Sequence, residues 1–388
     1  MADIDYDKLH EFATTPEQHQ LIDLVRKYGT ATTAAKAEGL HDGGARRKWR
    51  TILNNAAKAG YSPEHDMTRP TAPGFQLRGT STLYDKTGNQ VMQWVKTTRD
   101  AEMQESFMRE AFEVLAEDYR GRSYPILRPK NKDEHTLSVY PMGDPHIGMY
   151  AWADETGADY DLDIAVKLFD SAFNDLMHDA KAKHALIVNV GDFFHADNML
   201  NRTMRSGNAL DVDTRFGKVL QVGVGIMKSA IERALRHHDT VNVINEVGNH
   251  DDHTAVMLSM ILDAYYHNNS RVFIETKPGR FHYHKFGKVL IGVTHGDTCK
   301  LQDLGPIMTR DCLEMISDTY WRVWHTGHVH KDNQVDFRDC TAEIHRTLAP
   351  GDAWSVGAGY RSWRSMKRID YHDEYGEFNR RTFNVRPS

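Results

Sequence analysis

Val241-Asn242-Val243-Ile244-Asn245-Glu246-Val247-Gly248-Asn249-His250-Asp251-Asp252-His253 begins apolar and ends polar, with the change at Gly248. The β-branched run predicts a strand over residues 241–247, and a helical pattern opens near Thr254, so the polar block falls in a loop at a strand's end. In open α/β sheets such loops carry ligands. An amide oxygen, an imidazole and two carboxylates are also the donor set that catalytic divalent metals select. Standing alone, the block reads more simply as a turn with a solvated imidazole.

The same pattern recurs on either side of it. Predicted strands at 137–142, 185–190, 289–294 and 321–325 run into Gly143-Asp144-Pro145-His146, Gly191-Asp192-Phe193-Phe194-His195, His295-Gly296-Asp297 and Gly327-His328-Val329-His330. Any one fragment has a bland reading as a turn or an exposed strand face. Together, at the carboxyl ends of successive strands, they do not, because burying so many ionisable groups side by side without a cation is costly. Helical patterns separate several of the strands, which predicts an α/β domain. A further short strand at 281–284 predicts an added hairpin and a mixed sheet.

The order Asp-x-His, Gly-Asp, Gly-Asn-His-Asp, His-Gly, Gly-His-x-His resembles the calcineurin-like metallophosphoesterase family over roughly residues 137–331. The resemblance implies a β-sandwich flanked by helices and two divalent metal ions. It implies that Asp144, His146 and His330 hold one ion, that Asn249, His295 and His328 hold the other, and that Asp192 bridges both. Two such ions about 3.5–4 Å apart acidify a shared water and clamp phosphoryl oxygens during in-line displacement. By the same resemblance His250 lies near the leaving oxygen, as proton donor or charge stabiliser, and Asp251 orients it. Asp251 reads equally well as a capping carboxylate for the helix near Thr254. The chain departs from the family at His195, where many relatives carry the second acid of Gly-Asp-x-x-Asp; His195 is expected to contact phosphate. His253 is expected either to touch substrate or to cap the helix. Mixed oxygen and nitrogen donors admit manganese, iron or zinc, and the nuclease branch of the family points to manganese.

Towards the N-terminus, helical patterns at 16–28, 32–38 and 45–59 predict a small all-α domain over residues 1–62. The last helix carries Arg46, Arg47, Lys48, Arg50 and Lys58 and no acid, while Trp49, Ile52 and Leu53 face inward. Three short helices with a basic last one resemble a helix-turn-helix DNA-binding unit; a small bundle with a solvated basic face is the equal alternative. Residues 63–134 read as a linker, a hairpin formed by 79–84 and 90–96, and a long amphipathic helix over 100–119. Residues 135–388 form the metallophosphoesterase domain, its tail beyond Asp332 strand and loop.

At 388 residues and 40% hydrophobic content the chain holds two or three domains and at least one sizeable core. A net charge of -6 excludes a generally basic surface, so any nucleic acid must meet local patches. One is the third helix. Another is Tyr360-Arg361-Ser362-Trp363-Arg364-Ser365-Met366-Lys367-Arg368, where aromatics alternate with cations as single-strand binding requires; Arg361, Trp363 and Arg364 are its substrate-binding candidates. The wording Gly-Asp-Phe-Phe-His and Gly-Asn-His-Asp-Asp-His also resembles phage-encoded and SbcD-like DNA exonucleases, which implies a DNA nuclease. A phosphomonoesterase or small-nucleotide phosphodiesterase is the alternative enzyme, and a catalytically silent DNA-binding or scaffold protein the alternative outside catalysis. Cys299, Cys312 and Cys340 lack CxxC spacing and predict a reducing compartment. The acidic opening Asp3, Asp5, Asp7 and the lack of any apolar run of about 18 residues argue against a signal peptide or membrane span. The expected location is the cytoplasm, a host's if a phage encodes the chain. A homo-oligomer or a protein partner is left open.

Overall fold

The structure is a computed structural model, and it describes the chain except for residues 1–3, 59–60, 62–74, 85–89, 100–116, 118–119, 124, 131, 200, 204–208 and 387–388. It divides into two compact units, Met1–Ala111 and Phe112–Ser388. In the first, helix Pro16–Tyr28 starts where the Thr15 side chain accepts from the Gln18 amide with Pro in the first turn, and it stops at Gly29, whose φ of 87° suits glycine. Thr30 and Thr33 then cap one another at the head of helix Ala31–Ala37. The third helix, Asp42–Lys58, begins earlier than the expected residue 45. Gly43 and Gly44 fall in its first turn, where amides need no helical acceptor, and the His41 ring accepts from the Gly44 amide at 3.2 Å. Leu21, Val25, Ala31, Ala34, Ala35 and Ala45 pack these helices together, the alanines allowing close approach. Strands β1 (Phe75–Tyr84) and β2 (Gln90–Arg99) form the expected antiparallel hairpin. The helix expected over 100–119 lies outside the described residues.

The second unit is built on two sheets. Parallel strands β3 (Asp133–Met142), β4 (Ala182–Asn189), β5 (Thr240–Asn245) and β6 (Val272–Ile274) form most of one sheet. The other contains β7 (His282–Phe286), β8 (Val289–Val293), β9 (Trp321–Thr326), β10 (Asn333–Asp336) and β11 (Thr341–Ile344), in the order β10-β11-β9-β8-β7 with antiparallel edges. The chain then returns to the first sheet as β12 (Ser365–His372) and β13 (Gly376–Asn384), completing the order β13-β12-β3-β4-β5-β6. Leu137, Val139, Leu186, Val188 and Ile244 of the first sheet meet Val289, Ile291 and Val293 of the second in one buried cluster. Each such side chain contributes about 1.5–3 kcal/mol on burial, and their shared face makes the pair a sandwich.

Helices flank the sandwich. Leu162–Met177, Phe216–His237 and Thr254–Tyr266 are the crossovers that connect β3, β4, β5 and β6, while helix Leu304–Asp311 packs its Leu304 and Met308 on Leu290, Trp324 and Ala342 of the second sheet. No helix of the described residues is long and apolar enough to cross a membrane. The structure corrects one expectation here. The alternating patch Tyr360 to Arg368 is not continuous on the surface, because β12 lies inside the sheet between β13 and β3. Lys367 turns in to Asp332 (2.6 Å) and Glu343 (2.8 Å), and Arg368 to Asp179 (2.6 Å) and Asp370 (3.1 Å). These ion pairs, most of them with residues distant in sequence, allow cations to sit where apolar side chains would be expected.

Candidate metal centre

The loops that follow β3, β4, β5, β8 and β9 converge. The ligand-type atoms of Asp144, His146 and His330 lie within 4.8 Å of one another, and so do those of Asp192, His295 and His328. Asn249 Oδ1 is 3.1 Å from His295 Nε2, and His295 Nδ1 is 3.8 Å from Asp144 Oδ1, which joins the two groups. All the residues expected as metal ligands are therefore in one place. Asp144, His146, Asp192, His328 and His330 have φ between 42° and 65°, and among described residues Asn201 is the other non-glycine with positive φ. Such backbone costs about 1–3 kcal/mol per residue and persists where neighbouring structure enforces it. Here the enforcement is explicit: the His146 amide donates to Asp192 O (3.0 Å), the His328 amide to both Asp144 carboxylate oxygens (3.0 and 3.1 Å), and Thr347 Oγ1 to Asp144 O (2.7 Å). A side chain at Gly248 would collide with the Asp192 carboxylate, and one at Gly191 with the His295 ring; glycine precedes the ligands because their loops press on one another.

Asp144 and Asp192 are both buried, and at Asp192 burial by itself penalises the charge. At Asp192 the imidazoles of His295, His250 and His146 outweigh that penalty and hold the carboxyl well below its usual range. Burial would likewise lower the pKa of His295, yet the Asp192 and Asp144 carboxylates raise it to about 10. His330 is raised against burial by Asp144, whereas burial and then His250 push His146 well down. The pocket thus attracts positive charge strongly. Carboxylate, imidazole and amide donors suit a divalent cation of the manganese, iron or zinc type. The ring orientations fit as well: His295 Nδ1 donates to Val190 O at 2.9 Å, which turns Nε2 towards Asp192 and Asn249. His146 Nε2 and His330 Nε2 face each other at 3.4 Å, a spacing that calls for a proton or a metal between them.

His250 stands over this group, its ring 4.9 Å from that of His146. Its orientation comes from an unexpected source. Nδ1 donates to the His195 carbonyl at 2.8 Å, while the Asp251 carboxylate, expected to do this, accepts from the Gly248 amide (2.8 Å) and the Phe194 amide (3.1 Å) instead. Asp251 points back into the protein and ties the second loop to the third. His195 is buried behind His146, with Nδ1 3.3 Å from His146 Nδ1 and no hydrogen-bond partner at Nε2; ligand-type atoms of His146, His195 and His250 lie within 4.8 Å of one another. His253 is held by Asp197, which accepts from its ring at 2.6 Å and also caps the helix through the Thr254 amide at 2.8 Å. Arg364 turns inward to Leu348 O (2.8 Å), whereas Arg361 and Trp363 stay exposed. In the separate first unit Arg46, Arg47, Lys48 and Arg50 are all exposed, and Arg46 pairs with Asp42 at 2.7 Å.

Two features gave no sequence signal. Arg280, in a loop without a motif, reaches Asp252 Oδ1 (2.5 Å) and Asp297 Oδ1 (3.0 Å), so one guanidinium joins the loop of Asn249 and His250 to the loop of His295. A further buried group, His325, Glu343 and His345, also brings ligand atoms together. There Lys367 (2.8 Å) and Arg380 (2.7 Å) already neutralise Glu343, so the group is a salt-bridged network inside the sandwich and not a second cradle.

Comparison with protein-family models finds no match. Comparison with curated proteins finds none either. Among solved structures, a conserved uncharacterised protein of Streptococcus pneumoniae TIGR4, described as a predicted phosphoesterase, is 9% identical, aligns over 65% of this chain and 100% of its own, and has a TM-score of 0.27. A zinc complex of Vps29 from Entamoeba histolytica is 12% identical over 64% of this chain and 98% of its own, with a TM-score of 0.27. A novel archaeal phosphodiesterase is 12% identical over 64% and 99%, with a TM-score of 0.30. Likenesses at this level carry no inference about chemistry.

Proposed function

We propose that this chain is a calcineurin-like metallophosphoesterase that hydrolyses phosphodiester bonds in DNA. The observation that carries the reading is the convergence of Asp144, His146 and His330 with Asp192, His295 and His328 at the ends of separate strands. In this reading residues 135–388 are the catalytic domain, residues 1–62 a DNA-binding helical domain, and residues 63–134 the segment between. Asp144, His146 and His330 hold one divalent cation and Asn249, His295 and His328 the other, with Asp192 shared. Bound there, two such cations supply Lewis acidity towards phosphoryl oxygens and an acidified water as nucleophile.

The chain's own groups do the rest. His250, its Nδ1 committed to the His195 carbonyl, keeps Nε2 for the leaving oxygen, to which it donates a proton. Asp192 accepts from the His250 amide at 2.8 Å, which fixes the backbone of the proton donor against the shared ligand. Arg280 and Asp251 hold the third loop to its neighbours. The exposed Arg46, Arg47, Lys48 and Arg50 support nucleic acid as the substrate, since they supply a local positive field on a chain that is acidic as a whole. Purified protein given manganese is expected to cleave linear DNA and bis-p-nitrophenyl phosphate and to lose both activities in EDTA. Turnover of p-nitrophenyl phosphate with DNA left intact would instead identify a phosphomonoesterase.

A further inference from the structure

The segment between β11 and β12 is tied to the first ligand loop. Thr347 Oγ1 donates to Asp144 O (2.7 Å), Arg364 Nε to Leu348 O (2.8 Å), and the hydroxyl of Tyr160, close enough to Arg364 to act on it electrostatically, donates to Pro145 O (2.9 Å). Asp352 lies near enough to act in the same way on His195. The part of this segment that faces outward has an unusual surface. Trp354 is 66% exposed, Tyr360 58% and Trp363 66%, and the Trp354 and Tyr360 rings stack with centroids 6.2 Å apart and planes 26° from parallel. Beside them lies a cleft of about 530 Å³ lined by Lys331, Asp332, Arg346, Arg361, Ser362 and Trp363. Lys331 immediately follows His330. The cleft's one acid, Asp332, is shared between Lys367 (2.6 Å) and Arg346 of the cleft itself (3.8 Å), so Lys331, Arg346 and Arg361 leave the cleft cationic. Arg361 is fixed in its wall by Nη1 donating to Val356 O and Tyr360 O, both at 2.8 Å.

Exposed aromatic rings cost free energy in water, and three of them on one short segment beside a cationic cleft call for a ligand with both flat apolar faces and negative charge. A nucleic-acid duplex offers a protein surface its phosphates and keeps its bases stacked inside. A single strand offers both phosphates and base faces. From this we propose that the Trp354–Tyr360 pair and Trp363 are a stacking platform for unpaired bases, with Lys331, Arg346 and Arg361 receiving the phosphates, and that this surface feeds a single-stranded DNA end to the candidate metal centre. The proposal rests on the phosphodiesterase reading for what happens to the strand, but not for whether the strand binds.

The test separates the two. Binding of a fluorescein-labelled single-stranded decanucleotide is measured by anisotropy in EDTA, where no hydrolysis occurs, for the wild type, Trp363→Ala, Trp363→Phe and the double variant Trp354→Ala/Tyr360→Ala. Loss of a stacked base weakens binding by about 5- to 150-fold, so both alanine variants are expected to fall in that range, Trp363→Phe to stay within about threefold of the wild type on the same stacking argument, and tryptophan emission to be quenched in the wild-type complex. Circular dichroism melts check that the variants fold. Equal affinity in the wild type and the alanine variants overturns the platform, as does a wild type that binds the duplex form as tightly as the single strand. Absence of oligonucleotide binding, with self-association on gel filtration that Trp363→Ala abolishes, would also overturn it and assign the surface to a protein contact. Failure of the phosphodiesterase reading looks different: the wild type with manganese would hydrolyse neither bis-p-nitrophenyl phosphate nor the strand, whatever the anisotropy reports.

Discussion

Replacing Arg280 by alanine removes a guanidinium that joins the Asn249–His250 loop to the His295 loop, beside the direct Asn249–His295 contact. Its guanidinium bonds Asp252 at 2.5 Å and Asp297 at 3.0 Å, with the side chains of Arg280 and Asp252 24% and 27% exposed and that of Asp297 5%. A charge-assisted hydrogen bond is worth about 1.5–3 kcal/mol. The two together would reach the upper part of the range for breaking a buried pair, but water reaches two of the three side chains, so about 2–3 kcal/mol is the expected loss. For a domain of this size that corresponds to a fall in Tm of about 4–12 °C. Loops that no longer share a clamp should also hold manganese about 10- to 100-fold less tightly, as when groups that orient metal ligands are removed. Arg280→Lys keeps the charge but not the fork and should recover less than half of either effect. Calorimetric melts and manganese titration of the three proteins check this. An Arg280→Ala protein with unchanged Tm and manganese affinity would refute the idea that these loops are held by a shared cation.

Asp192→Asn is expected to lose bound metal and activity together, whereas His250→Ala should keep its metal by elemental analysis and turn over bis-p-nitrophenyl phosphate about 10²- to 10⁴-fold more slowly. Gly248→Ala, which drives a methyl group into the Asp192 carboxylate, should behave like Asp192→Asn in the metal assay. Burial holds His238 and His345 down to about 3 and His284 and His325 down to about 4. Their folded pKa values lie below the unfolded value, so stability is full above about pH 6.5 and is lost as pH falls from there towards 4, where only the unfolded chain takes up the protons. Urea midpoints measured from pH 7 to 4 should decline, and less steeply in His238→Gln; a flat profile would contradict the buried neutral rings. Charge reversal at Arg47, Lys48 and Arg50 should weaken DNA binding and flatten its salt dependence by roughly 0.9 in log–log slope per lost phosphate contact, seen in anisotropy titrations at several salt concentrations.

The ligands were legible because each pair is local: Asp144 with His146 and His328 with His330 are two residues apart, and each follows a short run rich in apolar and aromatic residues that reads as a strand. What holds them was not. Arg280 meets acids 28 and 17 residues away, Thr347 meets Asp144 across 203 residues, and Asp197 reaches Thr254 across 57; no periodicity records such partners. The role given to Asp251 failed for a related reason. Next to a catalytic imidazole in sequence, its carboxylate is aimed by the turn at backbone amides, while the carbonyl of His195 comes from another strand's loop. Lys367 and Arg368 read as surface cations because Glu343 and Asp179, which let them be buried, lie far from them in sequence. Helix Asp42–Lys58 began early because glycine weakens a helix interior but not its first turn.

The most direct test of the dinuclear centre is isothermal titration of the metal-free protein with manganese. The wild type should bind two ions per chain and Asp192→Asn neither with measurable affinity. A wild type that binds no manganese, iron or zinc, or an Asp192→Asn protein that still binds two ions as tightly, would contradict the centre on which this account rests.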